Sequence, residues 1–432
     1  MEWKKHCYRV GAQEFEADAV PTPGPDYDQF VSDARKAIEP WLSAVFQAEH
    51  LNLLIGSGFT TAIAYAAGGS ATGMSKVTFG SAHDAEIDAH AAASAKKMGR
   101  GSANIEDQFR SALAVYEGLL VIDESAAKAL KKQLDIQLLA FLKSLLESER
   151  QIAAATIPEK LRLAQTLLQS FLLSCASRTA SRERLHVFTT NYDRVIEHGC
   201  DLAGLRIIDR FVGALNPLFR SSRVEVDIHY NPPGIRGEPR FMEGVVRLTK
   251  LHGSLDWSYD SDLGTIRRLG IPFAAPSDHT DLPKEPIDTV MIYPNPAKDV
   301  ETTAYPYAEL FRDMAAATCR PNSVIVTYGY GFGDDHVNRI LLDMLTIPST
   351  HIVIIAFGVD DRLKAFCARA REAQVSLLLG SHFASLEILV QNYFPKPALD
   401  YITGRLTDVL RHRPAATSPG AAMATPAGAG SS

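Results

Sequence analysis

The sequence predicts an α/β fold with a Rossmann-like parallel sheet, a helical insertion and a small β-containing subdomain. Short apolar runs at 51–55, 323–328 and 352–357 stop at turns and lead into new segments. Such strand, loop and helix units imply parallel strands joined by right-handed crossovers. Apolar residues then repeat at helical spacing between about 85 and 181, which predicts an inserted group of helices.

The elements follow in order along the chain. Residues 1–45 form a predicted lead-in with a helical pattern at 27–46, and residues 46–411 form the main domain. Within the insertion Asn104 is a predicted N-cap and Pro158 begins a further helix. The proline-rich stretch at about 205–300, which includes 245–251, is the predicted small subdomain. The uncharged tail at 412–432, rich in Ala, Pro, Gly and Ser, is predicted to be disordered.

Composition excludes several classes of protein. The 432 residues carry 44 Lys and Arg against 50 Asp and Glu, which gives a net charge of −6. This charge argues against a protein that coats nucleic acid. The uncharged stretch 51–75 is too rich in Gly, Ser and Thr for a membrane span. Five cysteines without C-x-x-C spacing, and no secretory signal pattern, predict a protein of the reducing cytoplasm.

The first candidate motif is the turn after the strand at 51–55. Two glycines there would let the backbone approach a pyrophosphate at the start of the next helix. A tight turn without a ligand explains the same pattern, because Thr61 stands where a dinucleotide fingerprint has its third glycine. The candidate binding residues of this turn are Gly56, Ser57, Gly58, Phe59 and Thr60.

Three further motifs lie at predicted strand ends, where open α/β sheets place their ligands. Asn191 and Asp193 follow one strand, although both could merely cap a helix. His252 follows another and could equally be a structural histidine. Gly329, Tyr330 and Asp334 follow the strand at 323–328; Asp334 is a candidate for ribose hydroxyls, and the neighbouring carboxylates suit a helix N-terminus better than a phosphate. The cluster at 278–281 is predicted to be a solvated loop.

The order of these motifs resembles the sirtuin family over roughly 51–394. The most specific parts are Thr-Asn-Tyr-Asp at 190–193 and Lys-Leu-His-Gly-Ser-Leu at 250–255. The resemblance implies that the glycine turn holds NAD phosphates, that Asn191 and Asp193 line the nicotinamide-ribose pocket, and that His252 is the general base. Gly329 and Tyr330 would pass near phosphate and ribose.

Three departures from the protein deacylase sirtuins shift the expected function. No C-x-x-C pair is present for their zinc module, Ala62-Ile63-Ala64-Tyr65 replaces their Pro-Asp-Phe-Arg run, and a long helical insertion separates the glycine turn from Asn191. The sequence therefore looks like the zinc-free sirtuin-like proteins of prokaryotic antiphage defence. That resemblance implies an NAD glycohydrolase that empties the NAD pool on infection, with NAD as substrate and no zinc.

The implied chemistry assigns Asn191 to orienting water or ribose hydroxyls and His252, at an ordinary pKa near 6.5, to accepting a proton. The resemblance also implies a homo-oligomer held inactive until a separate sensor or ATPase chain, such as a HerA-type hexamer, triggers it. No membrane and no sequence-specific nucleic-acid partner is expected. Two alternatives stay open: an NAD-dependent protein deacylase, and a non-catalytic NAD or ADP-ribose binding scaffold.

Overall fold

A computed structural model describes residues 3–97, 101–179, 181–223, 226–230, 240–292 and 305–396. All elements below belong to one unit of the chain, Met1–Pro395. The predicted disordered tail at 412–432 lies outside the described residues.

The N-terminal segment is part of the central sheet. Its elements are β1 (His6–Val10), β2 (Gln13–Ala17), α1 (Pro25–Phe46), β3 (His50–Ile55) and α2 (Ser57–Ala66). The sequence analysis treated residues 1–45 as a lead-in with one helix. In the structure β1 and β2 form an antiparallel hairpin at the sheet edge, and α1 buries Ile38 and Leu42 completely. The two strands were missed because their five residues each mix charged and apolar side chains.

Four long helices follow as predicted: α3 (Asp84–Lys97), α4 (Ile105–Ile122), α5 (Glu124–Ala153) and α6 (Pro158–Ala176). Asn104 caps α4 in a capping box, since its side chain accepts from Asp107 N and the Asp107 carboxylate accepts from Asn104 N. Helices α3 to α5 share a core with buried residues of the small-sheet region such as Leu255 and Val290, whereas α6 buries Phe171 against the central sheet. The insertion therefore packs on the small-sheet region through α3 to α5 and on the central sheet through α6. No helix among the described residues is long and apolar enough to cross a membrane.

The middle of the chain supplies strands to more than one sheet. Its elements are β4 (His186–Thr189), α7 (Val195–Leu202), β5 (Arg206–Ile208), β6 (Phe211–Val212), β7 (Leu218–Phe219), β8 (His229–Tyr230), β9 (Arg240–Phe241), β10 (Val245–Lys250), β11 (Gly253–Asp260), β12 (Thr265–Arg268), α8 (Pro286–Thr289) and β13 (Val290–Ile292). Strands β13, β11, β12, β7 and β6 form a small antiparallel sheet. The assignment of 245–251 to the small subdomain was wrong: β10 pairs in parallel with β4 in the central sheet, because its buried apolar residues pack there.

The described C-terminal part returns to the central sheet. It contains α9 (Tyr307–Thr318), β14 (Ser323–Tyr328), α10 (Asp335–Met344), β15 (His351–Ala356), α11 (Asp361–Arg369), β16 (Val375–Leu379), α12 (Gly380–Phe383) and α13 (Leu386–Ile388). The predicted strands at 323–328 and 352–357 are β14 and β15, both buried.

Nine described strands form the central sheet in the order β2, β1, β16, β15, β14, β3, β4, β10, β5. Strands β16 to β5 are mutually parallel, and β1 and β2 are antiparallel additions. One apolar core lies on the face with α1, α2, α6 and α7, and another on the face with α9, α10 and α11. The α/β fold class with a mostly parallel sheet, a helical insertion and a small second sheet is therefore confirmed.

Candidate active site

The four motifs found in the sequence meet at one edge of the central sheet. Strands β14, β3, β4 and β10 are neighbours, and their last residues align in one row: Tyr328 with Ile55, Ile55 with Thr189, and Thr189 with Lys250. After β3 the chain adds β4, β10 and β5 on one side of it, and later β14, β15 and β16 on the other side. The strand order therefore reverses between β3 and β14. Open α/β sheets place their ligands at this point.

A cavity of about 830 Å³ opens at this edge. Its volume lies within the range of small-molecule sites. Of the predicted site residues, those that line it are Gly56, Ser57, Thr60, Asn191, Asp193, His252, Tyr330 and Asp334. Gly58, Phe59 and Gly329 do not line it. The structure therefore gathers most of the predicted residues, and leaves three of them behind the cavity wall.

The glycines of the first and last motifs are explained by their contact with each other. Gly58 N donates to Gly329 O at 3.1 Å, and Gly56 N donates to Tyr328 O at 3.0 Å. A Cβ on Gly58 would lie 2.7 Å from Gly329 Cα, and Gly329 itself has φ 62°. These two amides are thus engaged with protein carbonyls, which differs from the expectation that both glycines serve the approach of a pyrophosphate.

Phe59 belongs to the core. Its side chain is fully buried, and its ring packs 4.9 Å from the Phe171 ring and 5.8 Å from the Tyr328 ring, measured between centroids. The residue was chosen because it lies within the glycine motif. At the start of α2 it falls on the buried face of the helix, so its role in the structure is packing.

Asn191, Thr60 and Asp193 form a hydrogen-bonded chain in the cavity wall. The Asn191 amide Nδ2 donates to Thr60 Oγ1 and to Gly56 O, both at 3.0 Å. Thr60 Oγ1 in turn donates to Asp193 Oδ2 at 2.8 Å, and Asp193 Oδ1 accepts from Val195 N at the start of α7. These bonds fix the orientation of the Asn191 side-chain amide, and its Oδ1 remains as a hydrogen-bond acceptor. Among the described residues Asn191 Oδ1 is buried without a hydrogen-bond partner.

His252 lies between two carboxylates. Its Nε2 is 2.7 Å from Asp334 Oδ2, and its Nδ1 is 3.8 Å from Glu106 Oε1. The Tyr192 hydroxyl donates to the same Glu106 oxygen at 2.5 Å. Only 5% of His252 is exposed. The site therefore contains a buried chain of four polar side chains, from Tyr192 through Glu106 and His252 to Asp334.

These carboxylates change the protonation of the histidine. Burial by itself lowers the pKa of His252, but the hydrogen bond to Asp334 and the nearby carboxylates of Asp334 and Glu106 outweigh it and raise the pKa to about 9. Burial raises the pKa of Asp334, but His252 and two backbone N–H groups lower it to about 2. At neutral pH the pair is thus an imidazolium and a carboxylate. The expectation of an ordinary His252 pKa was wrong, because both partners lie far from His252 in the sequence.

The segment after β14 is held by its own side chains. Asp334 Oδ1 caps α10 by accepting from His336 N at 2.8 Å, so the expected fit of a carboxylate to the helix start is met. Tyr330 donates to Asn338 Oδ1 at 3.0 Å, and Asn338 Nδ2 donates to Phe332 O at 2.9 Å. Tyr330 therefore braces this loop as well as lining the cavity.

Sequence reasoning missed the part of the cavity wall that the insertion supplies. Asn104, Glu106 and Arg110 of the α4 start line the cavity, and Ala71 and Thr72 of the preceding loop lie beside them. The only signal was the predicted cap at Asn104, which places the following carboxylate at a helix start. A second missed set is cationic and suits phosphate groups: Arg110, Arg339, Arg362 and Arg369.

A buried ion pair ties the insertion to the Asn191 segment. Glu149 of α5 accepts from Arg194 N at 2.9 Å and from Arg194 Nη2 at 2.6 Å. The guanidinium also donates to the carbonyls of Ile271 and Pro272. The Arg194 side chain is 7% exposed and that of Glu149 is fully buried. One guanidinium thus joins α5, the Asn191 segment and the small-sheet region.

Fold and site together define a Rossmann-like α/β protein with a polar cleft at the carboxyl ends of its parallel strands. The family model described as the SIR2-like domain matches residues 185–373. This stretch contains Asn191, His252 and Asp334, whereas the glycine turn after β3 and Glu106 precede it. A SIR2-like domain implies NAD-related activity and suggests an NAD-consuming enzyme. No curated protein matches the chain. Among the described residues no cluster of three or more His, Cys, Asp or Glu could hold a metal ion.

Proposed function

We propose that the protein is an NAD glycohydrolase, which hydrolyses NAD to nicotinamide and ADP-ribose. The observation that carries the proposal is the convergence of Asn191 and His252 on one cavity beside the glycine turn, within a sheet edge suited to a dinucleotide. The SIR2-like match over 185–373 supports NAD as the substrate.

The reaction needs little acid catalysis from the protein. The bond between ribose C1′ and the nicotinamide nitrogen breaks with its electrons going to the ring, which leaves as a neutral base. Water oxygen bonds to C1′, and one proton is released. Because positive charge spreads over the ribose at the transition state, the task left to the protein is to hold the ribose and to place the attacking water.

Asn191 is the residue we assign to positioning. Its Nδ2 is committed to Thr60 and Gly56, so its buried Oδ1 is the acceptor for a ribose hydroxyl or the attacking water. His252 can accept the proton only in its neutral form, a minor species at pH 7. Hydrolysis should therefore accelerate as the pH rises toward 9.

Regulation and biological role are part of the proposal. Continuous NAD hydrolysis would harm a host cell, so we propose an NAD-depleting effector of antiphage defence, cytoplasmic, oligomeric and silent until a sensor or ATPase chain acts on it. The absence of C-x-x-C spacing and the altered run at 62–65 favour hydrolysis over protein deacylation.

The test incubates the full chain with NAD and no acylated peptide and quantifies nicotinamide and ADP-ribose by chromatography. We expect both products in equal amounts, at a low basal rate that the triggering chain raises, with a loss of at least about 10²-fold for Asn191→Ala. Asn392→Ala, an asparagine outside the cavity lining, is the matched control. Product only with an acylated peptide would indicate a deacylase. Ligand-dependent stabilisation without turnover, even at alkaline pH and with the triggering partner, would indicate a binding scaffold.

A further inference from the structure

Glu106 is the one carboxylate that the inserted helix α4 contributes to the cavity lining. It lies at the second position of α4, two residues after the capping residue Asn104. The capping box and the burial of Ile105 and Phe109 hold this helix end in place. The position of the carboxylate is therefore set by the insertion.

Glu106 and Asp334 lie at opposite edges of the His252 ring. Asp334 meets Nε2 of His252 at 2.7 Å, and Glu106 lies 3.8 Å from Nδ1. Both carboxylates favour the positively charged form of the ring, which carries protons on both nitrogens, although only the Asp334 contact is within hydrogen-bond distance. The Tyr192 hydroxyl donates a hydrogen bond to the Glu106 carboxylate.

We propose that Glu106 is a positioning residue of the active site, which acts through His252: the inserted helix α4 holds this histidine in a resting ion-paired state between two carboxylates. This inference rests on the proposed NAD glycohydrolase. It implies that α4 restrains turnover at neutral pH, because a doubly protonated ring cannot accept a proton from water. Movement of α4 away from His252 would release that restraint.

Several groups of the described residues face the ring. Glu106 reaches it from α4, Tyr192 from the segment after β4, and Asp334 from the start of α10. Phe311 of α9 packs 6.2 Å from the ring, measured between centroids, and adds no charge. The raised pKa of His252, about 9, agrees with this environment, in which burial is opposed by two carboxylates.

The test follows the titration of His252 itself by NMR of the full chain with ¹³C-labelled histidine, the signal being assigned by its loss in His252→Gln. We expect Glu106→Gln to lower the titration midpoint by at least about one pH unit, as for removal of a charge within 4–6 Å. Glu106→Asp, which keeps the charge but withdraws it by one methylene, should fall in between. Glu117→Gln, on the exposed side of the same helix, should leave the midpoint unchanged.

The pH profile of NAD hydrolysis is the second measurement. In Glu106→Gln its rising limb should move to lower pH by the same amount, so that turnover at pH 7 increases up to about tenfold for each unit. A His252 midpoint that moves by less than about 0.3 pH units in Glu106→Gln overturns the proposal, whatever the activity is. Because the titration needs no turnover, a failed NAD assay would count against the enzyme assignment alone.

Discussion

Thr60 shows how a single hydroxyl organises the candidate site. It accepts from Asn191 and donates to Asp193, so both side chains depend on it for their orientation. We expect Thr60→Val to lower NAD turnover and to destabilise the fold by about 1–3 kcal/mol, since a buried carboxylate oxygen loses its donor.

Thr60→Ser is the control, because it keeps the hydroxyl and removes only the methyl group. Product analysis at saturating NAD, together with urea unfolding, measures both effects. Equal activity of the valine and serine variants would contradict the role given to the hydroxyl.

Gly329 is a backbone requirement of the fold. Its φ of 62° favours glycine, and a Cβ there would lie 2.7 Å from the backbone of Gly58. We expect Gly329→Ala to cost about 1–3 kcal/mol of unfolding free energy, because neither backbone segment can give way cheaply. Gly118→Ala in α4, where a Cβ would meet nothing within 4 Å, should be neutral or slightly stabilising. Urea midpoints compare the two, and similar values would refute the close contact.

At the scale of elements, the Arg194–Glu149 pair joins the insertion to the Asn191 segment. Removal of one partner leaves a buried charge without compensation, so Glu149→Ala should cost about 3–5 kcal/mol. Glu147→Ala, two residues earlier on the same helix, removes an exposed ion pair with Arg150. It should change the free energy of unfolding by no more than about 0.5 kcal/mol. Chemical unfolding of the two variants is the measurement. A comparable loss in both would show that the buried pair does not tie α5 to the Asn191 segment.

For the whole molecule, the buried histidines determine how stability depends on pH. Burial lowers the pKa of several histidines, and three of these are hydrogen-bonded to a neutral hydroxyl, with the pKa lowered to about 3 for His186, about 4 for His351 and about 4 for His382. Their unfolded forms take up protons near pH 6.5, so stability is lost as the pH falls from 6.5 toward 4. His252 has the opposite sign. Its contribution is complete below pH 6.5 and is lost as the pH rises through about 9.

We therefore expect the free energy of unfolding to be highest near pH 6.5 to 7 and to fall on both sides, as measured by urea unfolding between pH 4 and 9.5. His351→Gln should flatten the acid limb, and His252→Gln the alkaline limb. Stability that rises steadily toward pH 4 would contradict the neutral state of the buried histidines.

The central part of the fold could be predicted from the sequence because its signals are local. The apolar runs that became β3, β14 and β15 are long enough to be buried on both faces, and each ends at a glycine or polar turn. The edge strands β1 and β2 could not be found in this way. Their residues alternate only partly, and what makes them strands is the hydrogen bonding of β1 to β16, hundreds of residues later in the chain.

The sequence alone determined that Asn191, Asp193 and His252 lie at strand ends, since residue type and position next to an apolar run suffice for that. Only the tertiary structure decided what surrounds them. Glu106 and Asp334 reach His252 from separate elements, and Phe59 points into the core. Gly58 and Gly329 approach each other closely because neither has a side chain. The physical reason is range: strand formation follows from neighbours along the chain, whereas protonation and close packing depend on charges and atoms that folding brings together.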